Sequence, residues 1–201
     1  MCIAGGEPEV AGPICLTAGA GAAKPGRGRG RDAVKAADNV HFGGGGLDRQ
    51  AHLRAGADRR LEDELALVLP FWRGRPLVAG DAGATTLAFV APGHDILAEH
   101  GGEIVFLGSV GAGPLFARDL PEWNPDSAVA RDPGPGRAGG DVAVGPMEGM
   151  PRDARFADLR GLIMRLGPRD AEIAVTAKGI LEWHRTHRFC AACGGPSDMA
   201  Q

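Results

Sequence analysis

The sequence predicts an α+β domain in which helices pack on an antiparallel sheet, preceded by a disordered tail and closed by a cysteine knuckle. Three observations carry that expectation. Four short runs rich in β-branched and aromatic residues, Pro76–Ala79, Thr85–Ala91, Glu103–Val110 and Leu115–Ala117, are separated by Gly, Pro or Asp turns. Further on, Ile173, Ala177, Ile180, Leu181 and His184 recur along one helix face. Gly and Pro supply 33 and 15 of the 201 residues, and they crowd into two stretches, with 15 in residues 1–46 and 10 in residues 133–151. The remainder, roughly 120 residues of ordinary apolar content, suffices for one modest core.

Taken in order, residues 1–38 have no helical or strand period and too little apolar surface to offset their ordering entropy, so they are expected to be a disordered Gly/Ala/Arg-rich tail. The tract Gly26-Arg27-Gly28-Arg29-Gly30-Arg31 has the look of an RNA-binding repeat, but no aromatic residues interleave it. The glycines at 43–46 precede Leu47-Asp48-Arg49 and lack the Lys-Ser/Thr or the strand and helix context of a phosphate loop, which makes a linker the default. From Asp58, the stripe Leu61, Leu65, Val68 and Leu69 predicts a helix ended by Pro70. The short runs that follow favour an antiparallel meander. Residues 124–151 read as a flexible loop, too long to be structureless inside a compact domain. Phe156-Ala157-Asp158-Leu159-Arg160 leads into a short helix through Leu166, and Gly167-Pro168 restarts the chain as a helix to about His187.

Composition excludes several function classes. The formal charge is −3, and 25 acidic residues offset 22 basic ones. The excess of Arg over Lys, 19 to 3, with no Tyr, fits a codon bias better than nucleic-acid chemistry. No apolar run approaches the ~20 residues of a membrane helix, and Ile14-Cys15-Leu16 is too short for a signal-peptide core. A soluble cytoplasmic protein is the expected class.

Cys190-Ala191-Ala192-Cys193-Gly194 makes a tight turn whose sulfurs converge, which is half of a tetrahedral zinc site. A redox pair would sit at the start of a helix, where the dipole lowers the thiol pKa. Here the pair follows a helix and enters Gly194-Gly195-Pro196, so half a zinc site leads, with redox and inert pairs as the other readings. His184 and His187 could complete a Cys2His2 site only if the helix folded back over its own last turn; otherwise they are helix-end residues. Cys2 and Cys15 stand at no zinc-like spacing.

The run Ala177-Lys178-Gly179-Ile180-Leu181-Glu182-Trp183-His184-Arg185-Thr186-His187-Arg188-Phe189-Cys190-Ala191-Ala192-Cys193-Gly194 resembles the entry into the zinc ribbon of NADH pyrophosphatases, a branch of the Nudix hydrolases. Phe106-Leu107-Gly108, Phe116-Ala117-Arg118-Asp119, Phe156–Arg160 and Leu47-Asp48-Arg49 extend the likeness over about residues 39–198. The resemblance implies an N-terminal Nudix-like domain, then a four-cysteine zinc ribbon, then a catalytic domain that hydrolyses the pyrophosphate of NADH or NAD to a nicotinamide mononucleotide and AMP. Related members remove NAD caps from RNA, the only route to RNA that the resemblance implies. Catalysis in the family needs the box Gly-x5-Glu-x7-Arg-Glu-U-x-Glu-Glu-x-Gly-U, with U apolar, whose glutamates hold Mg²⁺ or Mn²⁺ against the diphosphate.

This sequence has no Arg-Glu and no Glu-Glu dipeptide, and only the first Cys-x-x-Cys of the ribbon. The resemblance therefore implies the front portion of such an enzyme: tail 1–38, Nudix-like domain 39–187, and truncated ribbon 188–201. Such a fragment is expected to be inactive alone, with no catalytic residue of its own. Cys190 and Cys193 match the first two zinc ligands, and Arg160 matches the Arg of the family's Asp-Leu-Arg segment, where a guanidinium fork suits the dinucleotide's phosphates. The alternative for Arg160 is a surface pair with Asp158. The alternative for the whole chain is a non-catalytic module in which two copies pool their cysteines into one zinc and form a homodimer. Neither reading involves a membrane.

Overall fold

The computed structural model describes residues 42, 45–81, 83–111, 113–124 and 140–197. The tail 1–38, with its Arg-Gly tract, Cys2 and Cys15, lies outside the described residues, as do 125–139 and 198–201.

A 3₁₀ turn, Ala51–Gly56, runs into α1 (Ala57–Arg60), which ends after one turn. The helix expected to reach Pro70 does not form. Asp63 instead accepts the Leu65 amide at 2.9 Å on its side chain and the Ala66 amide at 2.9 Å on its carbonyl, closing a turn that sends the chain into β1 (Leu67–Trp72). On β1 the apolar residues alternate: Leu69 and Phe71 join one core cluster, Val68 and Trp72 the other. A strand buried on both faces is apolar throughout, and over so short a run it mimics a helical stripe. Pro70 sits here at no cost in hydrogen bonds. Val68 exchanges both backbone groups with Val90 on the side away from β5, Pro70 aims its nitrogen the same way, and the β2 ladder starts only at Phe71.

The remaining strands follow the expected runs: β2 (Arg75–Ala79), β3 (Thr86–Leu87), β4 (Ile104–Val110) and β5 (Gly113–Asp119), with α2 (Asp95–His100) between β3 and β4. Then come β6 (Val142–Ala143), β7 (Arg155–Phe156), α3 (Leu159–Leu162) and α4 (Pro168–Thr186). The sheet order is β4-β5-β1-β2-β7-β6, with β3 paired to β2. The α+β class holds, but the sheet is mixed. β1 and β5 pair in parallel from Leu67 opposite Leu115 to Phe71 opposite Asp119, which corrects the purely antiparallel meander. The β4–β5 hairpin is local, yet it docks on the far side of β1 and brings two strands of the same direction together. A bulge between Phe106 and Gly108 lets the Asp48 backbone bridge to Ser109.

Two layers cover the sheet. On one face α3 and α4 bury Leu159, Leu162, Ala171, Ile173, Ala174, Ala177 and Leu181 against Leu69, Phe71, Val105 and Leu115. On the other, α1, α2 and residues 142–156 pack around Trp72, Phe106 and Phe116. Val142, Val144 and Met150 are buried there, so three side chains from the second half of the expected flexible loop 124–151 reach the core. Trp72 anchors this face, donating its indole N–H to the Trp123 carbonyl at 2.9 Å.

Candidate functional site

The cysteines form the knuckle that their spacing requires. The Gly194 amide donates to the Cys190 carbonyl at 2.8 Å, the Cys190 amide donates to the Gly195 carbonyl at 2.8 Å, and Phe189 bridges to Pro196. The Ala192 and Cys193 amides, and then the Cys193 thiol, donate toward the Cys190 sulfur and hold that thiol below its ordinary value. Such a donor set fits two thiolate positions of a tetrahedral zinc. His184 and His187 do not join it. The His187 ring stacks on Trp183, with centroids 3.6 Å apart, and among the described residues no three His, Cys, Asp or Glu side chains gather as metal ligands would.

Arg160 is exposed in the first turn of α3. Its backbone amide is capped by the Asp158 carboxylate at 2.9 Å, so Asp158 serves the helix start.

The spacing of the catalytic box can be laid on this chain even though its glutamates are missing. With Gly80 at the first glycine, the register puts Thr86 at the first Glu, His94 at the Arg, and Asp95 and Ile96 at the Glu-U pair. Ala98 and Glu99 then fall at the Glu-Glu pair and Gly101 at the closing glycine. The acidic part of that register coincides with α2. Gly80, His94, Ile96 and Gly101 serve the fold. A Cβ on Gly80 would strike the Ala84 carbonyl, and one on Gly101 would strike the Leu97 carbonyl and the Arg118 guanidinium. His94 caps α2, its Nδ1 accepting the Ile96 amide at 3.2 Å, and Ile96 is fully buried. Asp95, Ala98 and Glu99 are exposed. Searching for the acidic dipeptides misses this register; only the distances between Gly80, Asp95 and Gly101 reveal it.

On the opposite face, a cleft of about 430 Å³ opens beside the β1–β2 turn, lined by Phe71, Arg73, Gly74, Asp119, Lys178, Leu181, Glu182 and Arg185. Three cations therefore meet two carboxylates. Lys178 donates its Nζ to the Gly74 carbonyl at 2.8 Å, and Arg185 pairs with Glu182 one helical turn before it. Burial pushes the Asp119 carboxyl above the usual range, assisted by Glu103 and Glu182 and opposed by the Leu120 amide and Arg185. The Arg185 pair draws Glu182 the other way, below that range.

Residues 65–183 match the family model of the NADH pyrophosphatase-like rudimentary NUDIX domain. The chain is 32% identical over 141 residues, 63% of its length, to Nudix hydrolase 19, chloroplastic, of Arabidopsis thaliana, and 40% identical over 42 residues, 21% of its length, to NAD(P)H pyrophosphatase NUDT13, mitochondrial, of Homo sapiens. These matches span 29% and 12% of the two relatives, so the chain covers less than a third of either. Among the described residues no helix is long and apolar enough to cross a membrane. With the matched region covering more than half of its length, the chain belongs to the NADH pyrophosphatase-like rudimentary NUDIX family.

Proposed function

We propose that this chain is the non-catalytic N-terminal portion of an NAD(H) diphosphatase, acting in the cytoplasm beside a catalytic Nudix domain that it does not itself supply. The observation that supports this reading most is a set of three substitutions in the box register. Thr86 and Ala98 stand where the family's pattern has glutamates, and His94 where it has Arg. The box presents four glutamates to the divalent cation that holds the diphosphate, and here two carboxylates remain, Asp95 and Glu99, four residues apart and exposed on α2. The box segment is kept as a folding element, with His94 capping it and Ile96 anchoring it.

Cys190 and Cys193 would hold zinc as two of its four ligands, and the metal would brace the knuckle structurally. Arg160, exposed at the start of α3, would reach toward the NADH or NAD phosphates as a two-pronged donor. The test is hydrolysis of NADH by the purified chain with Mg²⁺ or Mn²⁺, followed by chromatography of the mononucleotide products. The expected result is no release above the enzyme-free blank. Turnover that scales with protein and is abolished by chelation would overturn the reading.

A further inference from the structure

Among the described residues, the backbone hydrogen bonds of the knuckle close on the knuckle itself, from Cys190 to Gly195, from Gly194 to Cys190 and from Ser197 to Arg188. Ala191, Ala192, Cys193 and Gly194 are exposed and Cys190 is half-buried, so the two sulfurs face solvent rather than the core. They sit together, with the Cys193 thiol within hydrogen-bond reach of the Cys190 sulfur. A structural zinc takes four protein ligands, and among the described residues no third His, Cys, Asp or Glu joins this pair. The imidazole next to it in the chain, His187, is stacked on Trp183 with its Nδ1 turned to the Trp183 carbonyl at 3.1 Å. Half of the coordination sphere is therefore open.

The surroundings of the open half are apolar. Phe189, which bridges to Pro196 across the knuckle, is 64% exposed, and Trp183 in the last turn of α4 is 59% exposed. Side chains of this size are ordinarily buried far more deeply. Charge points the same way. Zinc with two thiolates is neutral, whereas zinc with four thiolates carries two negative charges in excess. Arg188, exposed and two residues before Cys190, supplies one positive charge per copy, and two copies offset that excess.

We propose that two copies of this chain meet knuckle to knuckle and share one zinc ion, each giving Cys190 and Cys193. The sharing presupposes that these cysteines hold zinc, as proposed above, and it identifies the other two ligands. Four thiols release their protons to solvent as four zinc–sulfur bonds form, and no oxidant takes part. The contact is isologous, so Phe189 of each copy is covered by the other.

The test loads the full 201-residue chain with Co²⁺ under reducing conditions and follows the cobalt–thiolate charge-transfer band, metal content by elemental analysis and molar mass by light scattering. The expected result is a dimer with about half a metal per chain and the band of four sulfur ligands, returned to monomer by chelation. Phe189→Ser is predicted to raise the dissociation constant of the dimer about tenfold, since the apolar burial is lost from both copies. The double variant Cys2→Ser, Cys15→Ser is predicted to behave as the wild type. Absence of any cobalt–sulfur band would remove the zinc reading itself. A band with one metal per monomer would keep zinc at the knuckle and overturn the sharing. So would a dimer that survives chelation, one that Phe189→Ser leaves equally tight, or one lost with Cys2 and Cys15.

Discussion

The two faces of the sheet are built from alternate residues of the same strands, yet they hold their polar groups in opposite ways. On the α2 face, four positions of the box register are occupied in folding: Gly80 and Gly101 admit close contacts, His94, which stands where the pattern has Arg, caps a helix, and Ile96 fills the core, while Asp95 and Glu99 stay exposed. On the α4 face, Arg73 sits in unfavourable backbone, Asp119 is a carboxyl raised by burial, and Lys178 and Arg185 line an open cleft. One face has the spacing of a catalytic site with carboxylates at two of its four glutamate positions; the other has charge arranged at some conformational cost. Spacing alone is therefore a poor guide to what a segment does, since Gly80 and Gly101 keep their places for close packing.

The sharpest way to break this contrast is at Ile96. If α2 serves packing, Ile96→Ala should cost about 2–5 kcal/mol in urea unfolding, as large-to-small changes in a closed core do. A loss below about 1 kcal/mol would mean that α2 is not held as described. Gly74→Ala comes next. It places a Cβ at φ 73° against Lys178, and about 1–2 kcal/mol should be lost in the same measurement. A neutral result would remove the case for a strained turn at the cleft. His94→Ala should then cost about 1 kcal/mol through the lost cap, while Ala98→Glu on the same helix, at an exposed position, should stay within about 0.5 kcal/mol of the wild type.

The smallest effect expected is a change of slope. Burial raises the Asp170 carboxyl above its ordinary value, opposed by the Leu87 amide that it accepts at 3.0 Å and by Arg169. Between the ordinary and the raised value the folded chain holds a proton that the unfolded chain has released. This contribution to stability is present in full below the ordinary carboxylate pKa and is lost as pH rises through the folded one. Asp170→Asn keeps an oxygen for the Leu87 amide and cannot titrate, so its urea midpoint should fall less than that of the wild type over this acidic range. Parallel profiles would place the proton elsewhere, with Asp119 the other raised carboxyl.

The strands from residue 75 to 119 and the helix from Pro168 were legible because Gly, Pro and Asp punctuate the first and a long apolar stripe marks the second. The segment 58–70 was not, since Leu61, Leu65, Val68 and Leu69 fit a helical stripe as well as a turn followed by a strand buried on both faces. Pairing of β1 with β5 depends on residues far apart in the chain, which local spacing does not encode. The high Gly and Pro content of 133–151 hid Val142, Val144 and Met150, three side chains that close the α2 face. The turn at Cys190 and Cys193 was legible because a Cys-x-x-Cys-Gly run closes back on itself. The cleft was not, because Arg73, Asp119 and Lys178 come from three separate elements that only the fold brings together.

The most direct test of the contrast is whether α2 holds a divalent cation, read by water-proton relaxation during Mn²⁺ titration of the intact chain. The account predicts no saturable Mn²⁺ that depends on Glu99. One tightly bound Mn²⁺ per chain, released by Glu99→Gln, would show that the box register still carries a working cage and would contradict it.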